Sequence, residues 1–329
     1  MGQSVDELLK ELTLEEKCSL LSGETFNDSQ SVPRLGIEKM LMTDGPHGLR
    51  KQSDKPDHLG MNVSVPATCF PPACALGSSW NREIVYKMGE ALASECRAEN
   101  VAVILGPGNN IKRSPLCGRN FEYYSEDGFL SGELATQEVE GLQNHGVICY
   151  IKHLALNDQE TNRSNMVCTW ADEQAIREIY LKPFEMSVKE GGAQAVMSSF
   201  NYIGYTYAGA SSNLLNTVLR DEWGFKGFVL TDYSGGYGYQ NGDQEIRNGN
   251  DSMLATTKIT NHITDKSATS VKAMRTAAHN ILYTAANGWQ YENGEPKVDT
   301  PVWRIAMYVV WGVTAVLAVG LEVLTIMKY

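Results

Sequence analysis

An apolar run that stops on an acidic residue just before a glycine-containing turn occurs twice in this chain, and it restricts the fold more than any other feature. Phe228-Val229-Leu230-Thr231 leads into Asp232-Tyr233 and then Ser234-Gly235-Gly236-Tyr237-Gly238. Met40-Leu41-Met42-Thr43 leads into Asp44-Gly45-Pro46-His47-Gly48. Short continuous apolar runs suit strands buried on both faces, and the glycines suit tight turns after them. Each carboxylate then falls at the C-terminal end of its strand, where parallel barrels build their active sites. Taken alone, such an Asp serves equally well to cap a turn or the next helix, so the rest of the chain decides.

The same apolar pattern recurs at Val101–Leu105, Val147–Lys152, Ala195–Phe200 and roughly Asn250–Leu254. Helical spacing fills the intervals, at Asn81–Asn100, Gly128–Asn144, Asp172–Lys189, Ser212–Trp223 and Asp243–Asn248, with a last helix over Ser267–Ala286 and an opening one over Val5–Leu21. Arg50–Gly77 carries four prolines and reads as a long loop folded over one face. Strands separated by helices imply a parallel α/β sheet. The expected fold of residues 1–286 is a TIM-like (β/α) barrel, with fewer regular strands readable than the eight of a regular one.

On that fold the polar residues at the strand ends converge on one mouth. They are Asp44, the run Gly106-Pro107-Gly108-Asn109-Asn110, the pair Lys152-His153, the run Ser198-Ser199-Phe200-Asn201, and Asp232; the loop after the second strand adds Arg119. Two carboxylates, two cations, an imidazole and several amides and hydroxyls suit a polyhydroxylated ligand, since each sugar hydroxyl both donates and accepts. With 28 Lys+Arg against 39 Asp+Glu and a net charge of -11, the chain offers no broad basic surface, which disfavours nucleic acid as a partner. The seven cysteines are dispersed, with no CxxC pair and no His at metal spacing, and are expected to be mostly buried thiols rather than ligands.

These residues resemble the glycoside hydrolases of family 3, the β-glucosidase, β-xylosidase and exo-glucanase group. The resemblance spans roughly Leu12 to Leu254 and rests on TLEEK at Thr13–Lys17, TDGPHGLR at Thr43–Arg50, LGPGNNIKRSPLCGRNFEYYSED at Leu105–Asp127, IKHLALNDQETNR at Ile151–Arg163, and TDY at Thr231–Tyr233. It implies that Asp44, Arg119, Lys152 and His153 hold the first sugar and that Asp232 is the nucleophile of a retaining hydrolysis through a glycosyl ester. Asp232 would have to be ionised for that, with Lys152 and Arg119 helping to keep it so. The implied substrate is a β-linked glucoside or xyloside, and neither metal nor organic cofactor is implied.

Three departures bear on the chemistry. The family's SDW is TDY here, Phe200 stands where many members have Tyr, and the α/β sandwich domain that usually supplies the general acid/base Glu has no counterpart on either side of the barrel. The retaining geometry asks for a second carboxyl about 5 to 5.5 Å from the nucleophile. Glu122, Glu126, Asp158 and Glu160 stand on or near rim loops, and the resemblance gives none of them that role; nor does LALNDQETNR match the Asp-His loop of the family's single-domain N-acetylglucosaminidases. The expectation is an acid/base supplied by a partner chain carrying the sandwich. The alternatives are a non-catalytic, membrane-anchored sugar-binding protein derived from the same barrel, or a truncated gene product.

After a polar linker, residues 287–304, comes Ile305–Met327, 23 residues with one charge, Glu322. That is long enough to cross a hydrocarbon core of ~30 Å, so a single-pass C-terminal anchor is expected. The start, Met-Gly-Gln-Ser-Val-Asp, lacks a secretory pattern and so favours a cytoplasmic barrel, while Lys328 fits either orientation.

Overall fold

A computed structural model describes residues 4–52, 62–234, 237–256, 263–291 and 302–328. Part of the Arg50–Gly77 loop, Gly235 and Gly236, and most of the polar linker lie outside the described residues. The chain divides into two compact units, Met1–Gly294 and Glu295–Tyr329.

The first unit is built on five parallel strands in sequential order: β1 (Met42–Asp44), β2 (Val103–Leu105), β3 (Ile148–Leu154), β5 (Ala195–Ser198) and β8 (Phe228–Thr231). Three two-residue strands, β4 (Cys168–Thr169), β6 (Tyr202–Ile203) and β7 (Thr206–Tyr207), make a separate small sheet that the sequence pattern does not reveal.

The strand side chains alternate between two cores, as the period of two requires. Val103, Leu105, Ile148, Tyr150, Ala195, Met197, Phe228 and Leu230 pack with the N-terminal helices and with Met253 and Ile281. Ile104, Cys149, Ile151, Val196 and Val229 pack outward against Leu92, Val139, Phe184 and Leu219 of the surrounding helices. Burial on both sides explains why these strands read as unbroken apolar runs. Inside, Tyr150 meets Phe228 edge to face at 4.8 Å, a pair worth about 0.5–1.5 kcal/mol beyond its buried area.

Closure from β8 back to β1 uses irregular segments. Asp251 and Ser252 donate backbone N–H groups to the Val229 carbonyl at 2.8 and 3.1 Å, Met253 donates to Leu21 at 3.1 Å, and Met42 donates to Asn27 at 2.8 Å. The strand expected at Asn250–Leu254 is thus a single parallel bridge, Leu230 to Ser252. Asp251 itself fixes this corner: its carboxylate accepts from the Val229 N–H at 2.7 Å, from Arg220 at 2.6 Å and from Asn280 at 2.9 Å.

The expected opening helix is two, Val5–Glu11 and Leu14–Leu20. Ser4 with Glu7, and Thr13 with Glu16, each form a reciprocal capping box, and the second box restarts the helix after Leu12. Asn81, Asp127, Asp172 and Ser267 cap the helices that follow them. The expected helix over Asp172–Lys189 is interrupted by a wider π turn at Ile176–Tyr180. The cysteines correct one expectation: Cys18, Cys96 and Cys149 are buried, while Cys69 and Cys168 are exposed and Cys74 and Cys117 half-buried, because Cys69 and Cys117 sit on loops, Cys74 is in the short helix Ala73–Ser79 and Cys168 is in the two-residue strand β4, away from the packed faces of the main sheet and its long helices.

In the second unit, Val302–Lys328 is one helix. Its segment Ala306–Lys328 has 23 residues and a mean hydropathy of 2.1, long and apolar enough to cross a membrane.

Candidate active site

A cavity of about 570 Å³ opens at the C-terminal ends of the strands. Asp44, Arg119, Lys152, His153 and Asp232 all line it, together with Arg163, which the sequence reading left without a role. Asp44 ends β1, Lys152 and His153 lie in β3 at a shift of register against β5, and Asp232 follows β8 directly. Arg119 comes from the loop after β2.

Lys152 is buried, and its ammonium sits 2.9 Å from Asp44 Oδ1 and 3.8 Å from Glu122 Oε2. Burial lowers the Lys152 pKa, but Asp44 and Glu122 more than reverse this and hold it above its ordinary value. Burial likewise raises the Asp44 carboxyl, and Lys152 outweighs that, so Asp44 titrates below the usual carboxylate range. The pair is a fixed cation and anion side by side, suited to two neighbouring hydroxyls.

Arg119 pairs with buried Glu122 and approaches Glu160 at 3.8 Å. Its Nη2 lies 2.8 Å from His153 Nε2. A guanidinium only donates, so His153 Nε2 accepts, and the ring proton sits on Nδ1, which faces the Tyr123 hydroxyl at 3.3 Å. Burial, then Arg119 and Lys152, push the His153 pKa well below its ordinary value, in keeping with this neutral tautomer. A reciprocal pair of bonds with Asn110, backbone N–H to Oδ1 at 2.8 Å and Nδ2 to carbonyl at 2.9 Å, fixes the His153 backbone.

Asp232 is buried, and its Oδ1 accepts the Tyr233 N–H at 2.7 Å. Burial raises its pKa, with Arg119, the Tyr233 N–H, Arg163 and Lys152 pulling the other way. Arg119 and Lys152 favour the ionised form, but burial outweighs them. Of the other strand-end groups, Phe200 lines the cavity, while Asn109 bonds Ser187 at 2.9 Å and Ser199 bonds the Ala155 carbonyl at 3.0 Å within the fold.

Among the rim carboxylates, Glu126 is exposed, Asp158 is buried and paired with Arg113 at 2.5 Å, and Glu122 joins Arg119 and Lys152 as above. Glu160 pairs with Arg163 at 2.8 Å, and burial raises its pKa. Arg163 also lies over the Phe200 ring, 4.7 Å from its centre, so the ring that stands in place of the family's Tyr supports a cation. Arg163 closes the motif IKHLALNDQETNR, and a cation at the end of a loop that starts on Lys152-His153 was the available signal.

Residues 27–280 match the glycosyl hydrolase family 3 N terminal domain. The chain belongs to glycoside hydrolase family 3. It is 49% identical over 233 residues to the thermostable beta-glucosidase B of Acetivibrio thermocellus, covering 71% of this chain and 31% of that protein. It is 50% identical over 234 residues to an exo-alpha-(1->6)-L-arabinopyranosidase of Bifidobacterium longum, again covering 71% of this chain and 31% of that protein. Its fold matches beta-glucosidase 3B from Thermotoga neapolitana in complex with alpha-D-glucose, with a TM-score of 0.80 at 35% identity over 93% of this chain and 46% of that one. The chain thus spans about a third of the length of these curated relatives and about half of the solved one.

Proposed function

We propose that this family 3 barrel binds the terminal sugar of a β-D-glucoside in the cavity and attacks it with Asp232, forming a covalent glycosyl ester. The observation that carries this is the buried Asp232 carboxylate in a cavity whose other walls present the Asp44–Lys152 pair, Arg119 and Arg163. Burial keeps the nucleophile poorly solvated, and a developing positive charge at the anomeric carbon favours its ionised form. The glucosidase relatives and the glucose complex of the Thermotoga protein support glucose as the sugar, and the arabinopyranosidase relative extends the class to other terminal pyranosides.

The protonating group is proposed to come from a partner domain or chain, as His153 is neutral with its Nε2 engaged and none of Glu122, Asp158 and Glu160 is free of an arginine. An activated 2,4-dinitrophenyl β-glucoside needs no such proton. It should give a burst of one dinitrophenolate per chain, followed by slow turnover; release no faster than with Asp232→Asn would sink the reading and leave a sugar-binding protein. The apolar helix is proposed as a membrane anchor, and a chain shortened before Val302 should then move from the membrane fraction to the supernatant.

A further inference from the structure

The motif TDGPHGLR gives the cavity Asp44, while its His47 lies off the cavity wall and has no part in the chemistry proposed above. The half-buried imidazole accepts the Ala73 N–H on Nε2 at 2.9 Å, and the His47 carbonyl accepts the Phe70 N–H at 2.9 Å. Ala73 begins the helix Ala73–Ser79, and Pro72 before it supplies no side-chain cap, so the imidazole serves the helix's first N–H from a distant part of the chain. A backbone N–H only donates, which leaves the ring proton on Nδ1. Burial pushes the His47 pKa down to about 4, with Glu122 pulling it up, Lys152 down and Asp44 up. The ring is therefore neutral, and able to accept, around neutral pH.

The turn that carries Asp44 is packed on two sides. A Cβ on Gly48, where φ is +143°, would stand 2.4 Å from the Thr68 carbonyl oxygen, and a Cβ on Gly106 would stand 2.5 Å from Pro46 Cβ. Thr68 is tied in turn to the helix Arg82–Ala98, its N–H donating to Glu95 Oε2 at 3.2 Å. Within the turn the Asp44 carboxylate accepts the Gly45 N–H at 2.9 Å, and its carbonyl accepts the Arg50 N–H at 3.0 Å. The helix Ala73–Ser79 packs against the turn Asn120–Glu122, which sets Glu122 beside Arg119 and Lys152. His47 thus joins the turn of Asp44 to the helix that backs Glu122, and these are the two carboxylates that face the Lys152 ammonium.

We propose that His47 is a positioning residue for the sugar site: its bond to the Ala73 N–H holds the Asp44 turn against the helix that backs Glu122, and so fixes where Asp44 and Lys152 meet the sugar hydroxyls. It acts without touching the sugar, and it rests on the sugar-binding reading of the cavity. Hydrogen bonds weaken steeply with misalignment, so a turn free to shift binds the same hydroxyls less well.

The test is calorimetric titration of methyl β-glucoside into His47→Gln, His47→Asn and His47→Met. Glutamine places a carbonyl oxygen near the position of Nε2, asparagine stops one methylene short of it, and methionine fills the space without an oxygen. Binding should weaken about fivefold in His47→Asn and His47→Met and stay within about twofold of the parent in His47→Gln. Parent affinity in the asparagine and methionine variants, or equal loss in all three, overturns the proposal and leaves the cavity reading intact. The parent gives a second measurement that no folding failure removes. The sugar binds the arrangement that neutral His47 holds, so saturating methyl β-glucoside should lower the pH at which His47 takes its proton, followed by nitrogen NMR of histidine-labelled protein. A titration midpoint that the sugar leaves unmoved overturns the proposal, and absence of methyl β-glucoside binding by the parent overturns the cavity reading with it.

Discussion

His153 Nε2 stands 3.7 Å from Asp232 Oδ2, and the imidazole carries no proton on that side. The Arg119 guanidinium, 2.8 Å from the same nitrogen, uses its lone pair. Arg119 and Asp232 thus meet at the same ring nitrogen, and His153 has no proton there to deliver. The positive charge that Asp232 feels comes from Arg119, Arg163 and Lys152 around it. On the proposed function these cations favour the ionised Asp232 carboxylate before it attacks, and protonation of the leaving group falls to a group outside the cavity.

Glu122 holds two of these cations at once. Its carboxylate pairs with Arg119 and lies 3.8 Å from the Lys152 ammonium, and all three are largely buried. Glu122→Gln keeps the shape and removes the charge, leaving Arg119 short of its partner. The expected result is a loss on the order of 3 kcal/mol of stability in denaturant titration, with weaker binding of methyl β-glucoside. An unchanged unfolding midpoint would show that Glu122 does not organise the pair.

The strand that presents Asp232 depends on Asp251 at its edge. Asp251 receives Arg220 at 2.6 Å, and burial raises its pKa against the pull of that arginine. Arg220→Met should destabilise by about 3–5 kcal/mol, because it strands a buried carboxylate. Adding Asp251→Asn should recover part of the loss, and a double variant whose loss equals the sum of the single losses would contradict the coupling.

Glu138 makes stability depend on pH. It is fully buried in the helix Gly128–Gln143, accepts from the Tyr124 hydroxyl, and burial pushes its pKa up to about 8. The native protein then keeps a proton that the unfolded chain has released, so this contribution to stability is complete below pH ~4.5 and declines as pH rises to ~8. The slope is on the order of 1 kcal/mol per pH unit. In Glu138→Gln, melting temperatures measured between pH 5.5 and 8.5 should fall less steeply than in the parent; identical slopes would contradict a protonated Glu138.

Much of the site is readable from residues at strand ends. Asp44, Lys152, His153 and Asp232 stand where an apolar run stops, and a buried parallel strand leaves little room for a charged group except at its mouth. Arg119 is readable as a cation in the loop after β2, but only its motif gives it a role, since such a loop has no periodicity to place it. Arg163 lies in a short 3-10 turn at Arg163–Asn165, and nothing in the spacing of such a loop says which way a side chain faces. The small sheet is two residues per strand, too short for any alternation to register. The break at Leu12 was present in the sequence as Thr13-x-x-Glu16, a capping signal inside a run whose apolar spacing read as one helix.

The central claim, that Asp232 is a working nucleophile in this barrel, is tested most directly by mass spectrometry of the intact protein after incubation with 2,4-dinitrophenyl 2-deoxy-2-fluoro-β-glucoside. The leaving group departs without protonation, and the fluorine slows release of the ester. The account predicts one fluoroglucosyl adduct per chain, located on Asp232 by peptide mapping and absent in Asp232→Asn. A folded protein that binds methyl β-glucoside yet forms no adduct, or forms it on another carboxylate, would contradict it.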